Sequence, residues 1–192
     1  MKFFLIAAMA ILVVIFSMGA ERANAENPKI VLDTSKGKII LELFPAKAPE
    51  TVKNFLAYVE SNFYDGTIFH RVIPNFMIQG GGFTADFKKK AGSEPIQNEA
   101  DNGLKNQRGT IAMARTADPH SATSQFFINS IDNDFLNHKG KTPQEWGYVV
   151  FGRVLEGFDV VDAISEVKTT TRGMFRNVPV EAVVIRSARQ IK

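Results

Sequence analysis

From Ile30 onward the chain alternates apolar and polar residues in short runs. Ile30 to Asp33 and Lys38 to Phe44 flank Ser35-Lys36-Gly37 and predict a β-hairpin. In the second run Ile39, Leu41 and Leu43 share one strand face, against Ile40 and Glu42. The period then changes. Val52, Phe55, Leu56 and Val59 fall at i, i+3, i+4 and i+7, one apolar stripe of a helix. Pro49 and Glu50 suit its first turn, where a proline misses no hydrogen bond and an acid meets the dipole. Further strands are predicted over 68–73, 76–79, 110–115, 125–129, 148–154 and 182–186. A short second helix is predicted over 158–166, with Val160, Val161 and Ile164 on one side. The stretch from Gly80 to Gln107, rich in Gly, Lys, Asn and Asp, reads as a functional loop over the surface. Many short strands with only two helices indicate a mainly β fold, a closed barrel or a sandwich. Strands and helices do not alternate, which disfavours a parallel α/β sheet. Neither a repeat nor a linker interrupts the chain after residue 25, so one domain over 26–192 is expected.

The first 25 residues follow another pattern. Lys2 precedes fourteen uncharged residues, Phe3 to Phe16, and Ala23-Asn24-Ala25 supplies a small-x-small site. This predicts a secretory signal peptide over 1–25, cleaved after Ala25. A transmembrane anchor is the alternative, but a spanning helix wants about 20 apolar residues. Of 192 residues none is Cys, which excludes a lipoprotein anchor, a disulfide scaffold, a thiol nucleophile and a zinc-thiolate site. Thirteen of the sixteen Phe lie after Ala25, so a Phe-rich core must hold the exported domain without staples. The formal charge of +3 falls to +2 without the leader, which gives no case for nucleic-acid binding.

Candidate chemistry narrows quickly. Asp118-Pro119-His120-Ser121 holds an acid, a base and a nucleophile, but four residues in one proline turn cannot form a triad across a packed scaffold, and no G-x-S-x-G elbow occurs. His70, His120 and His138 lack metal-ligand spacing, so no metal or cofactor is expected. Gln79-Gly80-Gly81-Gly82 is not followed by the Gly-Lys-Ser/Thr of a phosphate loop, and Lys88-Lys89-Lys90 reads as a solvated loop face. The segment from Phe69 to Gly81 differs. Arg71 sits among large apolar residues, where an unpaired guanidinium would be costly. Alternation gathers Arg71, Phe76 or Met77, and Gln79 on one surface. Two readings stay open on the residues alone: a functional arginine, or an edge-strand arginine paired with an acid.

At these residues the chain resembles the cyclophilin family of peptidyl-prolyl cis-trans isomerases. F-H-R-V-I-P-N-F-M-I-Q-G-G covers 69–81, G-T-I-A-M-A-R 109–115, S-Q-F-F-I 124–128 and V-V-F-G-R-V 149–154, in family order. The resemblance is to bacterial exported members, which implies a periplasmic location. It implies a closed eight-stranded antiparallel β-barrel capped by two α-helices. It makes Arg71 the catalytic residue, with Phe76, Met77, Phe127 and Leu136 forming the proline pocket and Phe135 at its rim. Gln79, Ala114, Arg115 and Gln125 line the groove for residues preceding proline. Phe135 stands where a tryptophan is usual, which implies weak cyclosporin binding. Tyr148 replaces a usual histidine, and its hydroxyl could take over that hydrogen bond to substrate. The expected partners are proline-containing flexible polypeptides. A monomer is expected, with neither nucleic acid nor stable membrane association after leader removal. The alternative function is a holdase that binds proline segments without turnover. Asn137 to Trp146 lengthens one loop beyond the shortest family members, and no use for it follows from the sequence.

Overall fold

A computed structural model describes residues 26–191, and the expected leader over 1–25 lies outside them. Strands β1 (Lys29–Thr34) and β2 (Gly37–Leu43) form the expected hairpin, with Leu32 opposite Ile39. Ile30, Leu32, Ile39, Leu41 and Leu43 all point inward and are fully buried.

Helix α1 (Pro49–Glu60) follows, its Phe55 ring 5.1–5.7 Å from Tyr64, Phe126 and Phe151 inside the barrel. Its N-terminus has no local side-chain cap. Instead the Glu99 carboxylate accepts from the Glu50 and Thr51 backbone N–H groups, at 3.2 and 2.9 Å, and from the Thr51 hydroxyl at 2.7 Å. These are orphan amides at the positive end of the dipole, where an acid belongs.

The remaining elements are β3 (Thr67–Ile73), β4 (Met77–Thr84), β5 (Thr110–Met113), β6 (Phe126–Asn129), β7 (Val150–Glu156), α2 (Phe158–Ser165), β8 (Thr169–Arg172), β9 (Phe175–Pro179) and β10 (Val184–Ile191). Eight strands close an antiparallel barrel in the order β1-β10-β3-β4-β6-β5-β7-β2. The fold is therefore the eight-stranded barrel with two helices. No helix among the described residues is long and apolar enough to cross a membrane.

Two expectations on local structure change. β4 continues through the glycines to Thr84, so the irregular stretch begins five residues later than Gly80 suggested. Gly82 lies within the strand, and Gln125 presses against it, leaving no room for a Cβ. A two-stranded sheet, β8–β9, stands outside the barrel. Its first strand, Thr-Thr-Thr-Arg, is largely exposed and carries no apolar face to read.

Candidate active site

The wall of the barrel has two apolar sides. Ile78, Phe126 and Ile128 face the interior, whereas Met77, Ala112, Phe127, Leu136 and Val150 form a second cluster outside it. Alternation along β4 and β6 accounts for the split. Phe76, Ala114 and Tyr148 pack on the outer cluster, which becomes the floor of a groove.

Arg71 reaches that groove through an irregularity. Phe69 pairs with Gly80 and Arg71 with Gln79, so His70 is an extra residue with no partner on β4. Strict alternation from the buried Phe69 would turn Arg71 inward as well. The bulge re-aims it outward, while Val72 and Ile78 return to the interior. Arg71, Gln79, Phe127 and Ala112 then form one row across β3, β4, β6 and β5.

The groove encloses about 290 Å³ and is lined by Arg71, Phe76, Met77, Gln79, Ala114, Arg115, Phe127, Leu136 and Tyr148. Nine of the eleven expected site residues thus share one cavity. Gln125 lies just beyond, its Oε1 accepting from Gln79 Nε2 at 3.1 Å. Phe135 is outside the lining. It stacks on Phe76 with centroids 5.5 Å apart and remains 65% exposed.

Arg71 is not paired with an acid. Its Nη1 donates to Gln79 Oε1 at 3.2 Å, and no carboxylate meets it among the described residues. A guanidinium has five N–H donors, so a neutral amide aims it and leaves donors for a ligand. Arg115 donates from Nε to the Gly147 carbonyl at 3.0 Å and lies over the Tyr148 ring at 4.7 Å. Tyr148 sets its edge on Phe127 at 5.6 Å. Both lining charges are cations on an apolar floor.

Four asparagines that the sequence did not single out hold the loops around this floor. Asn106, Asn129, Asn133 and Asn137 are all buried. Asn129 Nδ2 donates to Asn106 Oδ1 at 3.2 Å, and Asn133 Nδ2 to Asn129 Oδ1 at 2.8 Å and to the Phe76 carbonyl at 2.9 Å. Asn106 Nδ2 reaches the carbonyls of Leu136 and Tyr148 at 3.3 and 3.2 Å. Asn106 and Asn133 therefore tie groove residues to neighbouring loops, and Asn129 links the two amides. Asparagine beside strands usually marks a turn, so only its recurrence near Phe76, Leu136 and Tyr148 could have signalled this.

Behind Arg71, burial of His70 pushes its imidazole down to about 4 from the usual 6.5, and the neighbouring guanidinium adds to the effect. Among the described residues no group of three or more His, Cys, Asp or Glu side chains could hold a metal ion.

The outer wall of a closed antiparallel barrel thus carries an amide-aimed guanidinium beside an apolar pocket. The family model described as cyclophilin type peptidyl-prolyl cis-trans isomerase/CLD matches residues 29–190. A peptidyl-prolyl cis-trans isomerase of Streptomyces antibioticus is 66% identical over 83% of this chain and 96% of its own. Peptidyl-prolyl cis-trans isomerase B of Escherichia coli is 60% identical over 82% and 96%. Isomerase A of Dickeya dadantii is 51% identical over 98% and 97%. A solved Cryptosporidium parvum cyclophilin superposes with a TM-score of 0.71 at 26% identity, covering 86% of this chain and 98% of its own. A second structure of that protein, obtained in the presence of the dipeptide Ala-Pro, gives 0.70 at 27% identity over 85% and 99%. The chain belongs to the cyclophilin family and is a peptidyl-prolyl cis-trans isomerase of that type.

Proposed function

We propose that the groove isomerises X-Pro bonds in exported polypeptides, with Arg71 as its catalytic residue. The barrier to rotation, about 18–20 kcal/mol, is the amide resonance that must be broken. No bond to a substituent is made or cut, so no nucleophile is needed. At the twisted geometry the prolyl nitrogen pyramidalises and gains a lone pair able to accept a hydrogen bond. A guanidinium aimed there favours the twisted state over both planar ones, which is the condition for catalysis. Each tenfold acceleration requires about 1.4 kcal/mol, and a charge-assisted bond in a site screened from water supplies that more than once.

The remaining roles are those that the family resemblance implies, supported by the cavity that nine of the eleven residues share. Phe76, Met77, Phe127 and Leu136 grip the proline ring, and Gln79, Ala114, Arg115 and Gln125 bind the chain before it. Tyr148 sits at the floor and Phe135 at the rim. The observation that carries the reading is Arg71, oriented by Gln79 with donors to spare. The Ala-Pro dipeptide used with the Cryptosporidium relative supports proline-containing substrates. The leader pattern of residues 1–25 supports cleavage after Ala25 and a periplasmic role in folding exported proteins. The alignment with the Dickeya relative covers 98% of the chain and so extends into residues 1–25. The protein acts as a monomer.

Exchange NMR on a short Ala-Pro peptide tests the proposal. The purified protein accelerates interconversion, and Arg71→Ala lowers kcat/KM by about two orders of magnitude, the effect of one transition-state donor. Equal inertness of both proteins with peptide binding retained would mean a holdase. Phe135→Trp tightens cyclosporin binding in calorimetry, and no change would displace Phe135 from the rim.

A further inference from the structure

Two features have no part in the groove itself: the Asp118-Pro119-His120-Ser121 turn and the segment from Asn137 to Trp146. The structure joins them. The Trp146 ring meets His120 edge-on, centroids 4.7 Å apart at 79°, and its Nε1 donates to the Asn98 carbonyl at 3.1 Å. The Asn98 backbone N–H donates in turn to His120 Nδ1 at 3.1 Å. The buried Asn98 side chain donates from Nδ2 to the Gly147 carbonyl at 3.1 Å. That carbonyl is the one that holds Arg115 Nε. One asparagine therefore connects the histidine turn and the added segment to Arg115, and through it to the Tyr148 ring on the groove floor.

We propose that Asn98 is a positioning residue for Arg115, and that neutral His120 is its pH-sensitive support. The inference rests on the isomerase reading above. His120 Nδ1 faces an N–H donor, so it must offer a lone pair, with the ring proton on Nε2. An imidazolium carries donors only. Protonation of His120 would turn a donor toward the Asn98 N–H and release it. His138 responds differently. Its Nδ1 lies 2.8 Å from the Trp146 carbonyl, which only accepts, so that nitrogen already carries a proton and charging the ring leaves the bond intact.

The charged neighbours leave this contrast standing. Asp118 on the same turn accepts from the His120 backbone N–H at 2.9 Å. On the Asn98 side, Glu99 is engaged with the start of α1, and Asp101 is paired with Lys141 at 3.1 Å. The added segment contributes His138, Lys141 and Glu145, the last accepting from the Thr142 hydroxyl at 2.9 Å. Arg115 lies beyond Gly147.

The test measures kcat/KM by exchange NMR between about pH 8 and pH 5, and follows the ¹⁵N resonance of the Arg115 Nε–H over the same range. In the unsubstituted protein kcat/KM falls about five-fold on acidification, the effect of one lost hydrogen bond. The loss lies mainly in KM, and the Arg115 resonance moves with the same midpoint. His120→Asn, whose amide oxygen can stand near Nδ1 and accept at every pH, removes both inflections. His120→Ala gives the acid-like values throughout. Asn98→Asp, which cannot donate to the Gly147 carbonyl when ionised, raises KM at neutral pH. A flat Arg115 resonance in the unsubstituted protein, or an unchanged inflection in His120→Asn, overturns the inference. Absence of isomerisation at every pH overturns the isomerase reading instead, and the Arg115 resonance then decides the inference by itself.

Discussion

His70 shows how one residue can serve the site without entering it. As the extra residue of the β3 bulge it turns Arg71 outward, and it is buried against Phe83 with ring centroids 4.8 Å apart. Among the described residues its Nδ1 has no hydrogen-bond partner. The price of that placement is paid in acid. The folded protein holds the imidazole near 4 against 6.5 when unfolded, so between these values the unfolded chain binds the extra proton. Stability is complete above pH 6.5 and falls as pH drops toward 4, by up to about 3 kcal/mol from this group. Urea unfolding at neutral pH and at pH 4.5 checks this. His70→Leu shows a smaller loss between the two than the unsubstituted protein does. Asp65, held low by Arg189, gives way only at still lower pH. The motif around Arg71 was legible because its residue types are unusual together. The bulge was not, since period-two alternation contains no signal for one extra residue.

At the scale of elements, sequence pattern carried most of the barrel. The eight strands were all anticipated, because each buries one face and so alternates, and both helices carry an apolar stripe. What escaped is what local pattern does not encode. The β8–β9 hairpin buries little, and β4 runs on through glycines that read as loop. The cap of α1 comes from Glu99, nearly fifty residues away, and no spacing rule links it to Thr51. That distant cap makes a prediction. Glu99→Ala leaves two helix amides and a buried hydroxyl without their acceptor and costs about 1–2 kcal/mol, read as a lower urea midpoint. Glu99→Gln keeps an acceptor oxygen and recovers part of the loss. Gly157, which opens α2 at φ 88°, is a stricter case. Gly157→Ala meets both a left-handed backbone and the Lys38 carbonyl, and costs about 2 kcal/mol or more.

At the scale of the whole molecule, the barrel wall separates what keeps the fold from what performs the chemistry. Phe126 and Phe127 are neighbours in sequence and lie on opposite sides of that wall. Phe126 meets Phe55, Tyr64 and Phe69 at 5.4–6.1 Å in the sealed interior, where a truncated ring leaves a cavity that cannot fill. Phe127 meets Tyr148 over the groove floor, where the vacated space opens to water. Phe126→Ala therefore costs about 3–5 kcal/mol of stability, while the groove of the remaining folded molecules keeps its lining. Phe127→Ala costs less stability but removes part of the groove floor proposed to hold the proline ring. Its kcat/KM for an Ala-Pro peptide drops at temperatures where circular dichroism still shows the folded barrel. The two substitutions delete the same ring from adjacent positions, so composition and local propensity cancel between them. Only the side of the wall differs. If both variants lose stability and activity in the same proportion, the separation of interior and groove is wrong.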